Sequence, residues 1–261
     1  MRAPDDFEKS RPDAPEGFFE AEAAGLRWLA AAREADPRAA RVVDVREAGP
    51  GWIRLERLRS ASPSARAARE LGTALARTHA AGAAGFGAPP EGWSGPTFIG
   101  RQRQSCDPEP RWGRFYAEQR VRPFAERARE RGHLDARAAA VVAEACARIA
   151  DGTVDDDEPP ARLHGDLWSG NVAWTPEGAV LIDPAAHGGH RETDLAMLEL
   201  FGLPYLGELL EGYESERPLR AGWRDRVPVH QLHPLAVHAA SHGAGYAAPL
   251  LAAARATLAL I

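Results

Sequence analysis

The chain has little cysteine, no long apolar run and no excess of positive charge. Cys106 and Cys146 are the two cysteines among 261 residues. Two cysteines give neither a disulfide framework nor a cysteine-based zinc motif, and they fit a reducing, cytoplasmic compartment. The opening MRAPDDFEKS is polar and lacks the apolar segment of a secretory signal. The apolar stretch APLLAAARATLALI, Ala248 to Ile261, is interrupted by Arg255. It is also shorter than the roughly 20 residues that a spanning helix needs, so it reads as a terminal helix packed on a core, with no membrane partner. A net charge of −5 speaks against a nucleic-acid partner, which would call for a basic patch. Runs such as ERARERG, Glu126 to Gly132, mix both signs and read as solvated faces.

What is present is a 44% hydrophobic composition, enough for a sizeable core, in a length that allows one large domain or two small ones. Helical spacing of Phe18, Glu22, Leu26 and Leu29 predicts a helix over Gly17 to Ala35. Arg41 to Val45 and Gly51 to Leu58 read as two antiparallel strands around the turn composition EAGPG. From Ser62 the chain becomes helical. Ser62 as N-cap and Pro63 at the first helical position open a helix that Gly82 stops. A second helix runs through RWGRFYAEQRVRPFAERARERG with a break near Pro123, and a third starts at Asp135 and stops at Gly152. NVAW and AVLID form a hairpin around Thr175 to Gly178, and more helices follow. The fold class is α+β: a small mixed part over residues 1–58, then a larger helical part over 59–261 that carries one hairpin.

The segment LHGDLWSGNV, Leu163 to Val172, crowds His164, Asp166 and Asn171 into one loop, and Asp183 follows across the hairpin. Buried carboxylates and amides are costly unless they pair or hold a cation. Asn171 stands five positions after Asp166, and Asp183 stands 12 positions after Asn171, so the hairpin turns Asn171 and Asp183 toward a shared point. An amide oxygen and a carboxylate are hard donors that suit Mg²⁺, which fills its octahedron with water and phosphate oxygens. Asp166, beside such an ion, is placed to take a proton from a substrate hydroxyl. This is the layout of a phosphoryl-transfer loop. The plainer alternative is a tight turn followed by a strand end.

HGDLWSGNV followed by IDPAAHGGHRETDLAMLELFG closely resembles the fructosamine kinase (ketosamine-3-kinase) family. That family shares its fold with aminoglycoside and choline phosphotransferases, distant relatives of protein kinases. The H-G-D-x-x-x-x-N loop marks the wider superfamily. The Trp168–Ser169–Gly170 insert, the Asp-Pro-Ala after the strand and GHRETDLAMLELFG carry the narrower likeness, with LGTALARTHA, PTFIG and FYAEQRVRP in support. The resemblance implies a protein-kinase-like two-lobed fold whose helical C-terminal lobe carries the catalytic hairpin. It also implies ATP and Mg²⁺ as cofactors, and phosphorylation of a sugar hydroxyl on a small-molecule or protein-bound ketosamine, a step in protein deglycation. By motif position, Asp166 is the base and Asn171 and Asp183 hold Mg²⁺. His164 braces the loop, Asp194 bonds its backbone from behind, and Trp168 stacks on the sugar. Lys9 grips the α/β-phosphates, Glu22 pairs with Lys9, and the backbone around Glu56 and Leu58 receives adenine.

In related kinases the lysine follows two strands that carry a glycine-rich loop over the phosphates. Eight residues precede Lys9 here, none of them such a loop, and Glu8 stands where an apolar strand residue is usual. The expectation is a truncated N-terminal β-lobe with an exposed strand edge. If each donor is worth on the order of 3 kcal/mol, as in an oxyanion hole, loss of the whole loop costs several powers of ten in rate. Two other functions therefore stay open: a phosphotransferase of the aminoglycoside or choline type, or a catalytically impaired kinase-like binding protein. His230, His233, His238 and His242 cluster in VHQLHPLAVHAASHGAG without the glutamate of a zinc motif, so a structural or substrate-lining role is expected. His187 and His190 read as exposed or near substrate.

Overall fold

A computed structural model describes residues 6–261; the first five, part of the polar start discussed above, lie outside the described residues. Strand β1 (Asp6–Ser10) is followed by helices α1 (Phe18–Ala30) and α2 (Ala32–Ala35), strands β2 (Val45–Gly49) and β3 (Trp52–Glu56), and helix α3 (Ala65–Ala80). A hairpin, β4 (Thr97–Ile99) and β5 (Gln102–Gln104), precedes α4 (Trp112–Phe115), a π-helical turn (Tyr116–Val121), α5 (Arg122–Glu130) and α6 (Ala136–Ala150). Next come β6 (Ala161–Leu163), the hairpin β7 (Val172–Thr175) and β8 (Gly178–Leu181), and β9 (His187–Gly189). Helices α7 (Glu192–Phe201), α8 (Leu206–Glu216), α9 (Trp223–His242) and α10 (Ala247–Leu260) complete the chain. The fold is α+β, as the sequence predicts.

The first sheet is antiparallel in the order β1-β3-β2. Strand β3 alternates: Ile53 and Leu55 are buried, Trp52 and Arg54 are not, as a half-buried strand requires. Phe19, Leu26 and Leu29 of α1 are buried in the same core cluster as Ile53 and Leu55. Glu8, unusual for a strand, faces Arg54 across the β1–β3 pair in an ion pair of 3.5 Å. The first strand of the expected pair lies later than the sequence suggests. Val45–Gly49 forms β2, and the turn is confined to Pro50 and Gly51, with Gly51 at φ 80°. Arg41 to Val43 leaves this sheet and bonds to β8: Val43 N–H donates to Leu181 O at 3.0 Å, and Leu181 N–H to Arg41 O at 2.9 Å. Val42 and Val43 are buried there, so hydrophobic burial against the β7–β8 hairpin outweighs continuation of the sheet.

The cap of α3 is Ser64, not Ser62: its Oγ accepts the Ala67 N–H at 3.2 Å. Asp135 caps α6 as expected, accepting the Ala138 N–H at 2.7 Å. The break near Pro123 is the π-helical turn that ends just before it. Two apolar clusters hold the chain. One joins the sheet, α1, α3, the β7–β8 hairpin and α8; the other fills the space between α4–α6, α9 and α10. The terminal helix α10 buries Leu250, Ala253 and Ala254 against the second cluster, as its apolar composition suggests. No helix among the described residues is long and apolar enough to cross a membrane.

Helices α3 and α8 touch through glycine. A Cβ on Gly72 would stand 1.9 Å from Leu209 O, and one on Gly212 would stand 2.1 Å from Arg69 O. These contacts are with backbone, which cannot step aside without moving a helix. Gly72→Ala is therefore expected to destabilise the protein by roughly 2 kcal/mol or more, although alanine is the better helix former by about 1 kcal/mol. Urea unfolding measures this, and an unchanged or raised midpoint would contradict the close approach.

Candidate active site

The site grows from the turn after β6. Gly165 has φ 80°, and a Cβ there would lie 2.2 Å from Ala185 O, so this position calls for glycine. His164 is buried before it. Its Nε2 donates to Ile182 O at 2.9 Å, and its Nδ1 accepts the Asp166 N–H at 3.3 Å. Burial holds the imidazole below its ordinary pKa, and the two bonds fix a neutral tautomer that braces the loop.

Asp194 sits behind the loop on α7, fully buried. Its carboxylate accepts the N–H of His164 at 2.8 Å and of Gly165 at 3.0 Å. A third contact comes from His79 Nε2 at 3.2 Å, and His79 Nδ1 in turn meets the Tyr213 hydroxyl at 2.8 Å. Burial would push this carboxyl up, but the hydrogen bonds from His79 and the backbone outweigh it and hold the group below the usual range. His79 and Tyr213 were not singled out from the sequence. A signal existed: Leu71, Leu75 and His79 recur every four residues, so a histidine occupies the buried face of α3.

In front of the loop, Asn171 ties Asp166 to Asp183. Its Nδ2 donates to Asp166 O at 2.7 Å, to Asp166 Oδ2 at 3.2 Å and to Asp183 O at 3.3 Å. Burial, chiefly, pushes the Asp166 carboxyl up to about 7, against the Asn171 bond that lowers it. Asp183 has φ 53°, a left-handed conformation that costs a non-glycine residue energy and is typical of functional sites. Lys9 Nζ lies 2.9 Å from Asp183 Oδ1 and 3.0 Å from both Glu22 oxygens. Burial alone would lower the ammonium's pKa; the two carboxylates reverse this and keep Lys9 charged.

Lys9, Glu22, Asp166, Trp168, Asn171 and Asp183 line one cavity of about 920 Å³. Trp168 is 41% exposed, an open aromatic face in the same cavity as Asp166. His164 and Asp194 stand behind that surface. Glu56 and Leu58 are not among the lining residues. The Glu56 carboxylate is held by Arg41 at 3.1 Å, and its N–H donates to Asp44 O at 2.9 Å. For a divalent ion the donor set fits. Asn171 spends its amide hydrogens on protein oxygens, which leaves its carbonyl oxygen as the free end. The Asp183 side chain is 42% exposed. Both are hard oxygen donors.

His187 and His190 are buried, not exposed. Among the described residues, His190, Glu192 and His230 also bring ligand atoms within 4.8 Å of one another. Each is already partnered. Arg226 holds both oxygens of Glu192, at 2.6 and 3.0 Å. His190 Nε2 faces Asp156 at 3.3 Å, and His230 Nδ1 meets the Thr193 hydroxyl at 3.0 Å. The arrangement is a satisfied buried polar network. His233 is buried as well, whereas His238 and His242 line the cavity.

The model of the fructosamine kinase family matches residues 4–259. The probable ketoamine kinase of Enterococcus faecium is 33% identical over 249 residues, which cover 92% of this chain and 83% of that protein. The probable ketoamine kinase YniA of Escherichia coli is 40% identical over 136 residues, 50% of this chain and 46% of that protein. Among solved structures, a fructosamine-3-kinase homologue from Thermobifida fusca superimposes with a TM-score of 0.88 at 44% identity, covering 97% of this chain and 85% of that one. A choline/ethanolamine kinase family protein from Mesorhizobium loti, TM-score 0.61 at 18% identity over 98% and 83% of the two chains, shares the fold. With the family model matched along nearly its whole length and a relative 33% identical over 92% of it, the chain belongs to the fructosamine kinase family.

Proposed function

We propose that this protein transfers the γ-phosphoryl group of ATP to a sugar hydroxyl of a ketosamine, a sugar joined to an amine by glycation. The observation that carries the reading is the meeting of Asp166, Asn171 and Asp183 in one cavity with the charged Lys9. Residues 1–58 form the nucleotide-side lobe in this reading, and residues 59–261 the acceptor-side lobe. The low cysteine content fits a cytoplasmic site of action.

The acceptor hydroxyl lies against Asp166, with the sugar face on Trp168. Asp166 takes the hydroxyl proton as the new O–P bond forms and the bond to the departing ADP breaks. A carboxylate whose pKa burial has raised is the stronger base for this step. Lys9, oriented by Glu22, holds the nucleotide phosphates, and the main chains of Glu56 and Leu58 receive the adenine. Asn171 and Asp183 would hold Mg²⁺, which supplies neutralisation of phosphate charge. His164 and Asp194 keep the loop in place, so that the base need not reorganise during transfer.

Asp166→Asn is expected to lower kcat by roughly 10²–10⁴ while Mg·ATP affinity persists; turnover at the wild-type rate would refute the base. Asp183→Ala should abolish Mg²⁺-dependent nucleotide binding, and calorimetry that finds Mg·ATP affinity unchanged would remove Asp183 from the metal site. The same aspartate base gives a pH prediction for the nucleotide-free protein. Its folded-state pKa of about 7 lies above the ordinary carboxyl value, so the folded protein loses stability as pH rises from about 4 to 7. Asp166→Asn removes that loss. At pH 8 the variant should be more stable than the wild type by an amount on the order of 1–4 kcal/mol, and the gap should narrow toward pH 5. A gap independent of pH would contradict the raised pKa.

A further inference from the structure

Beyond Asp166 the cavity changes character. The carboxylates among its described lining residues are Glu22, Asp166 and Asp183, all at the catalytic end. The wall leading away from them is a run of rings. Trp168 meets Phe201 with ring centroids 6.5 Å apart, and Phe201 meets His238 at 4.7 Å. His238 then meets Tyr246 at 4.9 Å and His242 at 5.0 Å. The wall is tied to the β4–β5 hairpin, because Gln102 Nε2 donates to Ser241 Oγ at 2.7 Å. It ends at the last turn of α9, where Arg131 Nη1 donates to Ala240 O at 2.5 Å.

Arg131 is exposed and lines the same cavity. Among the described residues it has no carboxylate within ion-pair distance. Two other arginines line the cavity: Asp13 answers the charge of Arg101 at 2.5 Å, and Arg11 stands with its guanidinium over the Phe18 ring. Capping the last turn of α9 explains one arm of the Arg131 guanidinium. It does not explain why a cation without a carboxylate partner stands at the end of an aromatic track that holds no acid. An arginine fork is suited to receive a carboxylate through two parallel hydrogen bonds. An acceptor with its hydroxyl at Asp166 and its sugar on Trp168 would run its amine substituent along the rings and bring the far end to Arg131.

We propose that Arg131 is a specificity-determining residue that selects ketosamines whose amine part carries a carboxylate, as one formed from a free amino acid does. A ketosamine on a lysine side chain within a protein lacks that group. The inference rests on the acceptor assigned under Proposed function and names its class.

The test uses the full chain, Mg·ATP and two matched pairs of fructose-derived ketosamines. One pair is made from glycine and glycinamide, the other from 6-aminohexanoic acid and its amide; each amide keeps the size and removes the charge. For at least one pair, kcat/KM for the acid should exceed that for the amide by roughly fivefold or more, since a charge-assisted fork outdoes an ordinary exposed pair. Added salt should shrink the preference. Arg131→Gln, which keeps a donor for Ala240, should bring acid and amide to within about twofold and leave kcat/KM for the amide and KM for ATP unchanged. Arg131→Lys, which keeps the charge but not the fork, should retain part of the preference. Equal use of acid and amide by the wild type in both pairs, or a preference that survives Arg131→Gln, overturns the proposal and leaves the acceptor assignment standing. No turnover of any of the four by a protein that binds Mg·ATP overturns the acceptor assignment, and this inference with it.

Discussion

The side-chain amide of Asn171 gathers three oxygens: the main-chain carbonyl of Asp166, the Asp166 carboxylate and the main-chain carbonyl of Asp183. Those contacts join the loop after β6 to the far end of the β7–β8 hairpin. Without them the two aspartates would be set by separate elements, and their spacing would follow the flexing of each. With them the Asp166 and Asp183 carboxylates are fixed against one another. Pre-organised groups lower a barrier because little reorganisation is left for the moment of reaction.

The rest of the fold supports that junction. Asp194 grips the loop's backbone from α7, and His79 and Tyr213 hold Asp194 in turn from α3 and α8. The two last helices approach closely enough for this through Gly72 and Gly212. The burial of Val42 and Val43 against β8 ties the small sheet's connection to the hairpin. The cost is visible at the site itself. Asp183 holds a left-handed backbone conformation, and Asp166 is half-buried where its charged form is disfavoured. Strain and partial desolvation of this kind persist only where surrounding structure over-determines them.

Much of this was legible in the sequence, because the groups of the candidate site are local. Asp166, Asn171 and Asp183 fall within 18 positions, and hairpin chemistry alone brings them together. One compositional signal is sharper than any used above: Lys9 is the chain's single lysine and Asn171 its single asparagine. In a chain that uses arginine for every other cation, those two positions are where guanidinium and other amides would not substitute. The long-range features were not legible. Arg131 reads as one more charge in a mixed run, and its place beside α9 depends on packing over 109 positions to Ala240. Likewise the stretch from Arg41 has the composition of a sheet strand, and nothing local says that Leu181 will bond it instead. His187 and His190 read as loop histidines because their burial comes from elements distant in sequence.

The most direct test of the account is a crystal structure of the protein with Mg²⁺ and a non-hydrolysable ATP analogue. The account places the ion within about 2.0–2.1 Å of the Asn171 carbonyl oxygen and of an Asp183 carboxylate oxygen, with the Asp166 carboxylate near but not bound to it. An ion held elsewhere, or a nucleotide whose terminal phosphate lies outside the cavity shared by Asp166 and Lys9, would contradict it.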